Sequence, residues 1–531
     1  MRTSVTLSLV SSARSRAPLC FVRLRFAPLL AVCVLSVLLA GCTVGPEFET
    51  PTAPPVASYL PDNSDKHTGT VKFGADVSGR WWTAYGSPAI NALVEQAFAH
   101  NPDIAAAEAA LRVSQANLLV QRAALFPVVN GAFDNSRQQN PRATTQTPDA
   151  GGANIYSLHT AQLTISYVPD VFGGTRRAIE GSRAMVEAQA FQREGVYLTL
   201  STNVVATAIQ AASLRSQIAA INRLIGLQAQ LLSTLRKQNA AGQIAEPDVA
   251  AQETSVAQTR LLLAPLERQL AQQNNLLSVL IGRFPGNGVP ARLLVNSIQR
   301  PKKLPLSLPA DFVRQRPDVR AAEANLHAVN AQIGVALANR LPQITLTGNL
   351  GISSSALGNL FSPGTLIWTV AGGVAQPIFN AGALENKQRA AEAATDQAAA
   401  QYRSTLLTAF QNVADVLRAL QIDDKAIATA AAAERAAGRN FDLLRKQLAL
   451  GQISLPLLIP AQQAYVQTVL ARIQTESLRL SDTVALFQSL GGGWWNRPGP
   501  LTMPAAEPNI LLPEITTPAA GANRPAANGH T

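Results

Sequence analysis

The feature that most constrains this chain is that it contains itself twice. The run Pro102-Asp103-Ile104-Ala105-Ala106-Ala107-Glu108 recurs as Pro317-Asp318-Val319-Arg320-Ala321-Ala322-Glu323, an offset of 215. The match continues without a gap through Leu111/Leu326 and Val120/Val335 to Pro127/Pro342. A second block, Leu235-Arg236-Lys237-Gln238 with Gly242-Gln243-Ile244, returns as Leu444-Arg445-Lys446-Gln447 with Gly451-Gln452-Ile453, now offset by 209. Two blocks in one order are the signature of a duplicated structural unit. The units are expected at 81–282 and 311–494, joined by a Pro-rich, non-periodic linker at 283–310.

Each unit reads helix, two strands, long helix, turn, helix. The opening helices stop at Pro127 and Pro342, because a helix interior rejects proline. Alternation then begins: Ile344, Leu346, Gly348, Leu350 and Ile352 share one face of a strand, and Thr160 to Tyr167 alternate in the same way. Strands are expected at about 127–138 and 156–169, then at about 342–353 and 364–377, with polar hairpin loops at 139–155 and 353–363. Period-two patterning fits a strand between lipid and water, and equally one in a soluble sandwich. Four strands cannot close a barrel in lipid, where an open edge is forbidden. A membrane reading therefore requires several copies to pool their strands.

The remaining helices are expected at about 176–241, 246–281, 382–450 and 455–490. Leu214, Ile218, Ile221, Ile225, Leu232 and Leu235 mark a heptad seam, with polar Gln228 in a skipped place. Leu406, Phe410, Val413, Leu417 and Leu420 mark another, and Val466 to Phe487 a third, interrupted by Ser477. From Arg176 to Ala241 there is no proline. At 1.5 Å per residue such a helix reaches about 100 Å, longer than a compact domain needs. Gly242 and Gly451 are placed as left-handed caps that end the rods. Pro247 and Pro456 then start the returning helices.

The N-terminus adds an address. Residues 1–41 hold Arg2, Arg14, Arg16, Arg23 and Arg25 without an acid, followed by a short apolar run that ends in Leu39-Ala40-Gly41-Cys42. The pattern reads as a secretory signal whose closing tetrapeptide resembles a lipobox, with cleavage expected before Cys42. Several acyl chains there, at ~0.8 kcal/mol per buried CH₂, make a durable anchor. Cleavage removes Cys20 and Cys33, so the mature chain has no disulfide. It also lowers the formal charge from +11 to +6. No basic cluster points to nucleic acid. Residues 42–80 read as an extended lipidated arm, and 495–531, rich in Pro, Ala and Gly, as a disordered tail.

Chemistry-bearing patterns are missing. The five His residues show no metal spacing, and no Gly-rich phosphate loop carries a Lys. Glu108 and Glu323 occupy equivalent repeat positions on helix surfaces and are not a catalytic dyad. The chain reads as a non-enzyme with no cofactor beyond covalent lipid on Cys42. Met185 and Met503 offer the mature chain no soft-metal relay.

The lipobox with Cys42-Thr43-Val44-Gly45-Pro46, the Trp81-Trp82 segment, the paired Pro-Asp helices, the two Gly tips and the closing Leu490-Gly491-Gly492-Gly493-Trp494 together resemble the outer membrane factor (TolC-like) family, in its OprM/CusC lipoprotein form. The resemblance covers Cys42 to Trp494. It implies a mainly α fold with β. Four strands per chain would join in a trimeric twelve-stranded transmembrane barrel, continued by a periplasmic α-helical coiled-coil barrel. It implies a homotrimer in the outer membrane, a periplasmic adaptor, and a proton-driven RND-type inner-membrane transporter. The function implied is passive conduction of small toxic compounds out of the periplasm. A type I protein secretion duct and a pore-less structural tether are the alternatives. The family's tip gate maps onto Leu448, Leu457 and Pro460, where this sequence lacks the usual Tyr and acids, and Asp248 lies in the first tip. An apolar gate that closes by dewetting is the expectation. Arg236, Lys237, Gln238, Gly242 and Gln243, with Arg445, Lys446, Gln447, Gly451 and Gln452, are the expected adaptor contacts.

Overall fold

The computed structural model describes residues 43–52, 55–56, 58–61, 71–139, 155–288, 293–301, 303–307 and 309–497. The expected signal at 1–41, the lipidation at Cys42, most of the 139–155 loop and the tail from 498 onward lie outside the described residues.

The chain opens with β1 (Val71–Phe73) and a 3-10 turn at Trp81–Tyr85, then α1 (Pro88–His100) and α2 (Pro102–Ala123). A hairpin follows, β2 (Val128–Gln139) and β3 (Ile155–Tyr167), leading into α3 (Gly174–Ala240), α4 (Glu246–Leu261) and α5 (Leu263–Leu280). The second half runs β4 (Leu304–Leu306), α6 (Pro309–Gln315), α7 (Pro317–Ala338), β5 (Gln343–Ser354), β6 (Leu366–Ala375), α8 (Ala383–Ala449) and α9 (Leu455–Ser489). Most of the chain is helix, and α3 and α8 each have 67 residues.

Local chemistry explains the boundaries. Pro88, Pro102 and Pro317 take the first helical position, where the missing N–H costs nothing. Asn101 caps α2 by accepting from Asp103 N at 2.8 Å. Asp170 accepts from Thr175 N (3.0 Å) and Arg176 N (2.8 Å), so α3 starts two residues before Arg176. The segment 246–281, expected as one helix, is two. Pro265 cannot donate to the carbonyl of Leu261, and the ladder breaks at Leu262.

β2, β3, β5 and β6 form one antiparallel sheet in that order, with Gly131 opposite Leu163, Leu163 opposite Leu350 and Leu350 opposite Trp368. The two edge strands are exposed at every position. Phe133, Trp368, Val370 and Val374 stand in the open on them.

The main core wraps the middle of the long helices. Trp81 stacks on Phe487 at 5.2 Å, Tyr85 donates its hydroxyl to Leu480 O at 3.1 Å, and Phe312 packs between Tyr59 and Phe410. The linker is less loose than its composition suggests, since β4 pairs in parallel with β1. The closing motif is also fixed. Gly491, Gly492 and Gly493 all take positive φ, Trp494 Nε1 donates to Gln315 O at 2.7 Å, and Asn496 bonds Asp76. Residues 495–497, expected in the tail, therefore belong to this belt, where Arg497 pairs with buried Glu194.

The heptad seams are partly polar inside. Gln228 and Ser477 are buried, and Gln252 donates to Gln228 O. Glu108 and Glu323, expected as surface residues, differ. Glu108 accepts from Tyr197 at 3.2 Å, whereas Glu323 is buried and pairs with Arg320 at 2.7 Å.

Candidate functional site

Both helical hairpins end in the same backbone device. At the first tip Gly242, at φ 73°, donates to Asn239 O, and Gln243 N donates to Gln238 O at 2.9 Å. At the second, Gly451 (φ 70°) donates to Leu448 O and Gln452 N to Gln447 O at 2.9 Å. These paired bonds satisfy carbonyls that a helix end would leave orphaned, and the left-handed turn they need is open to glycine. The carbonyls of Gln238 and Gln447 thus close the turns, as do those of Lys237 and Lys446, which accept from Ala241 and Leu450.

The tips share a small core. Leu232, Leu235, Val249, Val256, Phe441, Leu455 and Leu458 bury one another, drawing on α3, α4, α8 and α9. Leu448 packs against this cluster, while Leu457, its neighbour in the expected gate, is 58 % exposed. Pro460 sits exposed inside the second turn of α9, and Asp248 is half-buried in the first turn of α4. Acids there favour the helix N-terminus. The sequence reading missed Leu443 and Leu450, which stand exposed at 59 % and 72 %. Their seven-residue spacing at the end of α8 is the signal that could have found them.

The charged tip residues lie on the outside. Arg236 pairs with Glu253 at 2.6 Å with both groups exposed, and Arg445 lies over Phe441 and 3.8 Å from Asp442. Beside Arg236 a groove of about 620 Å³ runs between α3 and α4, lined by Ala229, Leu232, Ala240, Val256 and Arg260. Exposed pairs of this kind contribute little to stability.

A second constellation holds the N-terminal arm beneath the sheet. Val44 N donates to Phe172 O at 3.1 Å. Arg177, itself buried, donates from Nε to Val44 O and from Nη2 to Gly45 O, both at 3.2 Å. Its remaining arm bonds Glu180 at 2.7 Å, and Glu180 bonds His327 Nε2 at 2.9 Å. Phe48 stacks on His327 at 4.3 Å. A Cβ on Gly45 would come within 2.5 Å of Gly334 Cα, so the arm and α7 touch backbone to backbone. Burial pushes the Glu180 acid up, but the bonds from Arg177 and His327 outweigh it and hold it below its usual range.

Among the described residues no group of three His, Cys, Asp or Glu is placed to hold a metal. What the geometry provides is a pair of long helical hairpins, a small sheet and a pinned arm. Known proteins decide what that means. The family model for outer membrane efflux proteins matches residues 93–283 and 308–492. The chain belongs to the outer membrane efflux protein family.

Two curated relatives from Pseudomonas putida illustrate its range. The probable efflux pump outer membrane protein TtgC is 29 % identical over 475 residues, which cover 89 % of this chain and 96 % of that protein. The antibiotic efflux pump outer membrane protein ArpC matches over the same length at 29 %. Among solved structures the outer-membrane channel OprN superposes with a TM-score of 0.77 at 25 % identity, over 85 % of this chain and all of that one. The mainly helical fold with a small sheet is thus that of an outer membrane efflux protein, a family of channels rather than enzymes, and the chain is an outer-membrane protein that extends into the periplasm.

Proposed function

We propose that this outer membrane efflux protein is the exit channel of a tripartite pump, passively conducting small toxic compounds from periplasm to exterior. The observation that carries the reading is the four-stranded sheet, open at both edges with Phe133, Trp368, Val370 and Val374 exposed on them, mounted on helices about 100 Å long. A sheet with open edges is stable in lipid only when closed. Three chains closing it make a twelve-stranded barrel, and the same three-fold axis turns the hairpins into a helical barrel. The largely exposed flank of α8 supports that assembly, since its 67 residues include few buried ones. In this reading the two halves are duplicated copies of one unit. Cys42 carries lipid, and the pinned arm delivers it to the base of the sheet. The tips meet a periplasmic adaptor through Arg236, Lys237 and Gln243 and through Arg445, Lys446 and Gln452. A proton-driven RND-type transporter supplies the energy.

The closed gate is apolar, formed by Leu457 and its neighbours in the Leu455–Pro460 run. Such a constriction excludes ions by dewetting, and a charge admits water. Native mass spectrometry tests the assembly: a trimer with acyl mass on the fragment that begins at Cys42 is expected. A monomer leaves four strands that cannot close and ends the channel reading in favour of a tether. Leu457→Asp should raise ion flux through the resting channel in planar bilayers, and an unchanged current removes Leu457 from the gate. Deletion should sensitise cells to small toxic compounds. Loss of a secreted protein instead points to a type I export duct.

A further inference from the structure

About 28 residues from the second tip, roughly 40 Å along α8, an acid is buried without a countercharge of its own. Asp423 is 4 % exposed, and its Oδ2 has no hydrogen-bond partner among the described residues. Across the seam its carboxyl lies within hydrogen-bonding reach of Asp482 on α9. Two carboxylates only accept hydrogen bonds, so this contact holds when one of them carries a proton.

The surroundings leave little else to neutralise the pair. Arg479 on α9 is buried, but its Nε donates to Asp424 at 3.0 Å and its Nη1 to Thr483 Oγ1 at 2.7 Å. From the 3-10 turn, Tyr85 faces the same place with its hydroxyl committed to Leu480 O. Where α3 packs on α9, Gln217 accepts from Gln474 at 3.3 Å. Three carboxyls therefore share one guanidinium.

We propose that Asp423 and Asp482 form a proton-sharing carboxyl pair that ties α8 to α9, so that the hairpin bearing the second tip is held more tightly in acid than in base. Burial, followed by the hydrogen bond and charge of Asp482, pushes the Asp423 acid up to about 7, with Arg479 pulling the other way. The folded hairpin thus retains a proton that the unfolded chain releases near 3.8. Its stability falls as pH rises through that window, and above about 7 two like charges face each other across the seam. The tie itself does not depend on transport. Its consequence for the tip, a looser gate at higher pH, rests on the channel reading.

The test uses the full-length protein in detergent. Infrared difference spectra should show a protonated-carboxyl C=O band near pH 6 that vanishes by about pH 8, absent in Asp423→Asn. Amide exchange, corrected for intrinsic rates, should show protection of peptides spanning 415–430 and 475–487 falling up to about tenfold per pH unit between about 4 and 7 and levelling off above that. Asp423→Asn should hold that protection flat, because the amide donates to Asp482 at every pH. If that variant does not fold, the half-buried position gives a second, Asp482→Asn, with the same expectation. A wild type with no band, or with flat protection, overturns the proposal, as does an Asn variant that follows the wild-type profile. If the band titrates but the reconstituted protein carries no current, the channel reading fails and the carboxyl pair stands.

Discussion

Gly334→Ala separates two physical effects that point in opposite directions. Gly334 lies inside α7, where alanine is intrinsically better than glycine by about 1 kcal/mol. On propensity alone the substitution stabilises the protein. The structure says otherwise for the arm. The new Cβ would lie 2.8 Å from Val44 O and 2.7 Å from Arg177 Cγ. The side chain can swing away, but the carbonyl belongs to the backbone and must move. Its movement breaks the bonds from Arg177 to Val44 and Gly45, both at 3.2 Å. Hydrogen bonds from a charged group contribute about 1.5–3 kcal/mol each. Losing a net ~2 kcal/mol raises the population of the detached arm roughly 30-fold. Glu47 and Glu49 are exposed in that arm, so a glutamate-specific protease reads its detachment. The expected result is cleavage there roughly 30-fold faster, following the opening equilibrium, while the global melting temperature is unchanged or slightly higher. Equal cleavage rates in the two proteins would refute the seating of the arm on α7.

The remaining expectations are simpler. Leu458→Ala empties a fully buried place in the tip core and should cost about 2–5 kcal/mol, confined to exchange protection around both tips. Gly451→Val forces a β-branched residue to φ 70° and should cost at least 1–2 kcal/mol, fraying the ends of α8 and α9. Trp81→Ala removes the ring stacked on Phe487 and should cost roughly 3–5 kcal/mol in global stability, measured by denaturant melts. Because Glu180 is held below its usual 4.5, its contribution to the arm is full above that value and lost as pH falls through the lower, folded one. Protease cleavage of the arm should therefore rise in acid, and Glu180→Gln should flatten that response.

Much of this architecture is local, and local features are what a sequence displays. Pro127 and Pro342 mark where helix gives way to strand, and β2 and β5 begin at Val128 and Gln343. Gly242 and Gly451 announce the tips because few other residues accept the left-handed turn. The alternation in β3 and β5 is plain since both are central strands. β2 is harder, because an edge strand carrying Asn130, Asp134, Asn135 and Arg137 has no clean period. The phase of a helix near its end depends on its partner, so nothing local distinguishes inward Leu448 from outward Leu450. Contacts between distant residues were invisible. Arg177 meets Val44 across 133 positions, and Asp423 meets Asp482 only because the hairpin folds back. The break at Leu262 was present in Pro265 and overlooked, because a proline three places into a helix is tolerated when that helix starts afresh.

The open edges of β2 and β6 also bear on how the protein is made. A chain that has completed its helices but not met its neighbours carries two unpaired strand edges with Phe133 and Trp368 beside them. Such edges accept any extended segment, so their lifetime in the periplasm is a hazard that grows with the time spent searching. If Cys42 carries the proposed lipid, an anchor fastened next to the sheet shortens the search. It confines protomers to one plane at one depth, where their effective concentration rises without any new contact. In the proposed lipid-anchored trimer, the seat that Arg177 provides for the arm is a device of biogenesis. It acts before the first molecule is transported, by making the correct neighbour the one most quickly found.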